Sequence, residues 1–222
     1  MQSRNLITII ITWVFTLLMP VMIIFSITRL IMTPVFPPIE YNMPGFPDDP
    51  YGFTKDERLK WSKLSMDYLL NNKDITFFNE YKLADGSPLY NERELSHMDD
   101  VKSLVQKGLL FWNLSSFVFL LAIALVIRSN NYPPLRTGFR RGGYVTIGVI
   151  AAILLSVAIN FDVFFAKFHS LFFTGDSWIF YYSDTFIRLF PIRFWQDCFI
   201  YIGILSLLLA LAAIKLPGKW IK

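Results

Sequence analysis

Two of the 222 residues are histidine. One lies in "ELSHMDDVK", at His97. The other lies in "KFHSLFFTGDSWIF", at His169, among Phe168, Phe172, Phe173, Trp178 and Phe180. A histidine ring with its ordinary pKa of about 6.5 takes and returns protons near neutral pH, so two that met could serve as general base and general acid. Glu94 and Asp100 stand three residues to either side of His97, and either is placed to hold one ring nitrogen and set its tautomer. No G-x-S-x-G, H-E-x-x-H or P-loop pattern occurs. A metal site built on the histidines needs carboxylates such as Asp99, Asp100 or Asp176 to finish its shell. Their spacing matches no ligand pattern, and neither metal nor cofactor is expected. The single cysteine, Cys198, excludes an internal disulfide and a C-x-x-C pair.

Whether the histidines can meet depends on the elements that carry them. The chain is 54% hydrophobic with a mean hydropathy of +0.45. Its apolar residues form four blocks of about 20 residues, each long enough to cross a bilayer: from Leu6 to Ile27, Leu109 to Ile127, Tyr144 to Phe165 and Cys198 to Ile214. No A-x-A cleavage pattern follows the first, so it reads as a retained helix, kinked at Pro20. The expected fold is membrane all-α: four transmembrane helices (1–32, 108–127, 144–165, 198–214) with a small α+β extracytoplasmic cap domain at 33–107, between the first and second. A basic loop at 128–143, an outer loop at 166–197 and a tail at 215–222 complete the chain.

Charge orients it. Arg128, Arg136, Arg140 and Arg141 in one connector, Lys215, Lys219 and Lys222 in the tail, and Arg4 at the start have no acidic neighbours. The positive-inside rule puts these segments, and both termini, in the cytoplasm. His97 and His169 then share the extracytoplasmic face. The net charge of +4 is mild and placed by topology, so no nucleic-acid partner is expected.

The cap begins with a Pro-rich stretch, "TPVFPPIEYNMPGFPDDPYGF", expected to be extended. Thr54 and Glu57 predict a capping box for a helix from Lys55 to Leu70. "ITFFNEYKLADGSPLY" predicts a hairpin turning at Asp85-Gly86, with Pro88 confining its second strand to an edge. Asn91 and Glu94 form a second capping-box pattern, and that helix can run unbroken into the second apolar block. Further along, Asp162 at the outer end of the third block is a functional candidate or a solvated helix end. Trp178 and Phe172 suit a membrane-boundary belt or a floor for acyl chains. Arg29, Arg188 and Arg193 suit interface snorkelling or a grip on a carbonyl or anionic headgroup. These residues alone leave a membrane enzyme and a non-catalytic lipoprotein- or lipid-binding protein both open, with a metal-dependent membrane hydrolase as a third reading.

"ELSHMDDVK", "FHSLFFTGDSW" and "FPIRFW", in that order among four apolar blocks, resemble the lipoprotein intramolecular transacylases of some Gram-positive bacteria. The resemblance implies a plasma-membrane enzyme with its active site at the outer face. Its substrate would be a lipoprotein whose N-terminal cysteine carries an S-diacylglyceryl group. The sn-2 acyl chain would move to the α-amine of that cysteine, giving a lyso-form lipoprotein. It also implies that His97 and His169 are the catalytic pair, with membrane lipid and the diacylglyceryl-modified N-terminus as partners.

Overall fold

A computed structural model describes residues 6–215, so Arg4, Lys219 and Lys222 lie outside the described residues. Eight α-helices follow in order: α1 (Leu6–Ile31), α2 (Phe36–Glu40), α3 (Lys55–Leu70), α4 (Glu92–Ser129), α5 (Pro133–Ile159), α6 (Phe161–Phe172), α7 (Thr185–Leu189) and α8 (Ile192–Lys215). Four of them, α1, α4, α5 and α8, are long and apolar enough to cross a membrane. Only 22–28% of each apolar window is buried, which leaves side chains such as Phe117, Leu120 and Leu155 exposed. A soluble protein does not present that much contiguous apolar surface, whereas lipid accepts it. The described residues fall into two compact units, one from segments 1–30, 109–158 and 199–222, the other from 31–108 and 159–198.

The first unit is built from α1, the later part of α4, α5 and most of α8. Phe15 packs edge-on against Phe119 and Phe139 in a core with Ala122, Val126 and Leu135. Glycines let the backbones approach. A Cβ at Gly138 or Gly142 would lie 2.4 Å from the Cβ of Phe15 or Met19, and one at Gly143 would lie 2.6 Å from Ile214. Gly138 and Gly142 are thus a G-x-x-x-G face of the kind that packs membrane helices.

Two helix boundaries differ from expectation. α5 starts at Pro133, eleven residues before the predicted 144, so Arg136, Arg140 and Arg141 are helical and only 130–132 link α4 to α5. Pro133 and Pro134 open the helix, where a missing N–H breaks nothing. The third apolar block is also not one helix. Asn160 turns to an extended φ of −160°, and its side chain accepts a hydrogen bond from the Val163 N–H, ending α5 and capping α6. α1, by contrast, continues through Pro20.

The second unit holds the former cap and the histidines. The α+β expectation is corrected here: among the described residues there are no strands. "ITFFNE" forms a 3-10 helix, Ile75–Glu80, capped by the Asp74 side chain on the Thr76 N–H. Phe77 and Phe78 are drawn into an aromatic cluster with Tyr68, Tyr81 and Tyr90. That burial outweighs the local strand preference. The Asp85-Gly86 turn does form, with Gly86 at φ +84°, but a single bridge between Lys82 and Pro88 is all that remains of the hairpin. The Pro-rich stretch is corrected too. It contains α2, with Pro37 and Pro38 in the first turn, where proline is tolerated. The Thr54–Glu57 capping box and α3 form as predicted.

Glu40, at the end of α2, is fully buried beside Asp197, which is paired with Arg193. Burial, then the neighbouring Asp197 carboxylate, raise Glu40 to about 8. The folded chain therefore holds this proton through a range where the unfolded chain, with an ordinary carboxyl, has lost it. Stability from this site falls as pH rises from about 4.5 to about 8. Glu40→Gln is expected to raise Tm by about 2–4 °C at pH 8 and to leave it unchanged near pH 4.5, in a detergent thermal melt.

Candidate active site

Both histidines lie in the second unit. The frame begins at the start of α4, ahead of its apolar portion. The Glu94 N–H donates to Asn91 Oδ1 at 3.0 Å, and the Asn91 N–H donates to Glu94 Oε2 at 2.8 Å, so the predicted box is present. Glu94 does more than cap its own helix. Its other oxygen accepts from the Phe186 N–H at 2.6 Å, in the first turn of α7. Beside it, Arg93 pairs with Asp184 at 2.9 Å, and the Asn91 amide donates to Asp184 at 3.1 Å. Asp184 also accepts from the Tyr181 N–H. The first turn of α4 therefore grips the segment from Tyr181 to Phe186.

That grip sets aromatic rings around His97, which is 2% exposed. Phe173, Phe180 and Phe186 approach its ring edge-on, with centroids at 5.0, 5.3 and 5.7 Å. His169 comes from α6. Its ring lies 6.1 Å from that of His97 at an interplanar angle of 28°. Trp178 stacks on its face at 5.0 Å and Phe165 sits at 4.1 Å. The pair is thus held in an aromatic enclosure.

The two rings differ in their hydrogen bonds. His169 Nδ1 is 2.9 Å from the Phe165 carbonyl oxygen. A carbonyl only accepts, so Nδ1 carries the proton and the neutral ring presents a lone pair at Nε2. His97 Nδ1 is buried and has no partner. Burial, with the His169 ring adding to it, lowers His97 to about 4. Burial also lowers His169, against a small upward pull from the Phe165 carbonyl. Both rings are neutral at pH 7. Burial likewise raises Glu94 to about 7, with the Asn91 and Phe186 N–H groups pulling it down.

The supporting candidates are scattered. Glu94 serves backbone N–H groups and is not bonded to His97. Asp100 is exposed and meets Ser177 Oγ at 3.5 Å. Asp162, in the first turn of α6, and Asp176 are exposed. Trp178 contacts His169 directly, whereas Phe172 packs on Phe168. Arg188 is held by Asp49 through two N–H groups and lies over Phe53 at 3.5 Å. Arg193 is exposed and pairs with Asp197. Arg29 belongs to the other unit, in the last turn of α1. Phe173 and Phe180, sequence neighbours of His169, and Phe165 join the enclosure, whereas Phe186 and the Arg93–Asp184 pair had no signal in the sequence that marked them for it. Among the described residues no group of three or more His, Cys, Asp and Glu is placed to hold a metal ion.

Removing the Glu94 side chain strands two N–H groups, at Asn91 and Phe186. Glu94→Ala is expected to destabilise the protein by roughly 2–4 kcal/mol, seen as a Tm loss of roughly 5–10 °C. Glu94→Gln keeps an acceptor and loses less.

The described residues thus define a helical, multi-pass integral membrane protein whose two histidines lie together among aromatic rings. Residues 10–195 match the family model of the lipoprotein intramolecular transacylase Lit. The chain belongs to that family and is a lipoprotein transacylase of the membrane-integral type. It is similar over 95% of its length to the structure of Bacillus cereus Lit, with a TM-score of 0.70, 21% identity and 92% of that chain covered. A structure of the same Bacillus protein carrying a histidine-to-arginine mutation gives a TM-score of 0.69 at 22% identity, covering 95% of this chain and 90% of that one. An uncharacterized protein of Aquifex aeolicus (strain VF5) is 32% identical over 175 residues, covering 76% of this chain and 75% of that one.

Proposed function

We propose that this protein moves the sn-2 acyl chain of an S-diacylglyceryl cysteine to the α-amine of the same cysteine, at the extracytoplasmic face of the plasma membrane. The product is an N-acyl, S-monoacylglyceryl lipoprotein, the lyso form. The observation that carries this reading is the His97–His169 pair, neutral and enclosed by rings that suit a lipid substrate.

Donor and acceptor belong to one molecule. Amine nitrogen, two cysteine carbons, sulfur, two glycerol carbons, ester oxygen and carbonyl carbon close an eight-membered ring on attack. Folding the substrate so that amine meets ester contributes roughly 7 kcal/mol or more when the orientation is good. An enzyme of this kind needs no acyl-accepting serine. The new bond is N–C, the broken bond is the ester C–O, and one proton passes from nitrogen to the glycerol oxygen. No oxidant, reductant or net proton is required.

The hydrogen bonds support the following division of roles. His169 offers Nε2 as the base, because Nδ1 is already spent on Phe165. It takes the proton from the nitrogen of the tetrahedral intermediate, which is far more acidic than the free ammonium. His97 acts as the donor. Its neutral imidazole keeps its one N–H and lends it as a hydrogen bond to the carbonyl or leaving oxygen, while protonated His169 returns the transferred proton to the glycerol oxygen. Trp178 holds the His169 ring face.

The test is mass spectrometry of the N-terminal tryptic lipopeptide from a lipoprotein made with and without this protein. Transfer leaves the mass unchanged, so fragment ions must locate the chain. An acyl group found on nitrogen only when the protein is present is the expected result. If it stays on glycerol, the reading fails.

A further inference from the structure

Charge is divided between the two units more sharply than composition suggests. All 17 Asp and Glu lie in segments 31–108 and 159–198. Segments 1–30, 109–158 and 199–222 carry nine Lys and Arg and no acid at all. Within that unit Arg136, Arg140 and Arg141 converge. With Thr137 and Tyr144 of α5 and Ile214 of α8 they line an open groove of about 530 Å³.

The glycines explain the convergence. Gly138 and Gly142 are committed to α1, and Gly143 to Ala210 and Ile214 of α8. At 100° per residue, Arg136 and Arg140 then fall on the side of α5 away from Gly138, flanking its contact with α8. Arg136 and Arg140, one turn apart, repel each other, and Arg141 adds to the same field. None of the three side chains has a hydrogen bond or ion pair with a described residue, and their unit has no Asp or Glu to offer. That leaves their charge open to an anion from outside the chain. The groove also has an apolar wall in Ile214 and the Tyr144 ring, which a small hydrated anion does not need. A phosphate joined to hydrocarbon uses both parts: guanidinium forks for its oxygens and the wall for its chain.

We propose that the Arg136–Arg140–Arg141 groove binds the headgroup phosphate of an anionic glycerophospholipid, with the acyl portion against Tyr144 and Ile214. This site is separate from the histidine pair and does not rest on the reading of its chemistry.

Native mass spectrometry of the full chain in detergent, titrated with phosphatidylglycerol or phosphatidylcholine, tests it. Wild type is expected to hold phosphatidylglycerol about tenfold more tightly than phosphatidylcholine, since only the former leaves net charge for the forks. The triple variant Arg136→Lys, Arg140→Lys, Arg141→Lys keeps the charge that orients the chain but loses the planar fork, and is expected to weaken this binding about three- to tenfold. The corresponding triple Gln variant should abolish the preference, while Arg128→Gln, a cation outside the groove, should not change it. A Lys variant that binds as tightly as wild type would overturn the proposal in favour of diffuse positive charge. Displacement of the lipid by equimolar inorganic phosphate would overturn it in favour of a free-phosphate site. If the Gln variant fails to fold, the Lys variant and the Arg128 control still decide.

Discussion

His169→Gln is expected to lose acyl transfer as completely as His169→Ala, roughly 10²–10⁴-fold, whereas His97→Gln keeps part of what His97→Ala loses. The asymmetry follows from the hydrogen bonds. His169 is assigned the base because its Nδ1–H is fixed on Phe165 and only Nε2 remains. A glutamine amide has no basic nitrogen, so filling the same space does not restore the function. His97 is assigned the donor, and a glutamine N–H still donates. Glutamine also separates chemistry from packing, because alanine at a site 2% exposed leaves a cavity. The readout is the fraction of lipopeptide acylated on nitrogen, over a time course with matched amounts of folded protein. Equal losses for both Gln variants would reject the role assignment. Full activity in either Ala variant would reject the pair.

The second large effect is with pH. Activity is expected to rise about tenfold per unit from pH 5.5 to near 7.5 and then level off close to the pKa of the substrate amine, about 7.7–8.0. The sign comes from both partners. Below its pKa the amine is protonated and cannot attack, so each unit of acid removes nine-tenths of the reactive form. His97 adds no break of its own in this window. His97 is pushed down to about 4, and burial also lowers His169, so any break the pair adds lies below the ordinary 6.5. A histidine at its ordinary pKa would add a second inflection near 6.5 and a steeper fall beneath it. Initial rates with a diacylglyceryl lipopeptide between pH 5.5 and 9 distinguish the two. A slope of two below pH 6.5 would show that burial does not hold the pair neutral.

Most of what was legible in the sequence is local. The four apolar blocks are visible because a membrane span needs only length and composition. The Thr54–Glu57 and Asn91–Glu94 boxes are visible because a capping box closes within three residues. The Asp85-Gly86 turn is visible for the same reason. Where local signals were ambiguous, packing decided. "ITFF" has strand-forming residues, yet Phe77 and Phe78 gain more from the tyrosines of the second unit than from a sheet edge. Asn160 interrupts an apolar run that hydropathy reads as continuous, because one side-chain hydrogen bond to Val163 N–H is enough to start a new helix.

The sequence by itself determined that this protein is helical, spans a membrane and carries two histidines with no nucleophile motif beside them. It also marked the family, through three short motifs in order. Only the tertiary structure decided that the two rings lie 6.1 Å apart, that Glu94 turns from His97 to the Phe186 N–H 92 residues away, and that Arg188 is tied to Asp49 across 139. The physical reason is range. Capping and hydropathy act within one or two turns, so residue spacing records them. The tautomer of His169, the bare nitrogen of His97 and the enclosure around both depend on which distant groups arrive and on the burial they create together. No spacing in the sequence specifies those.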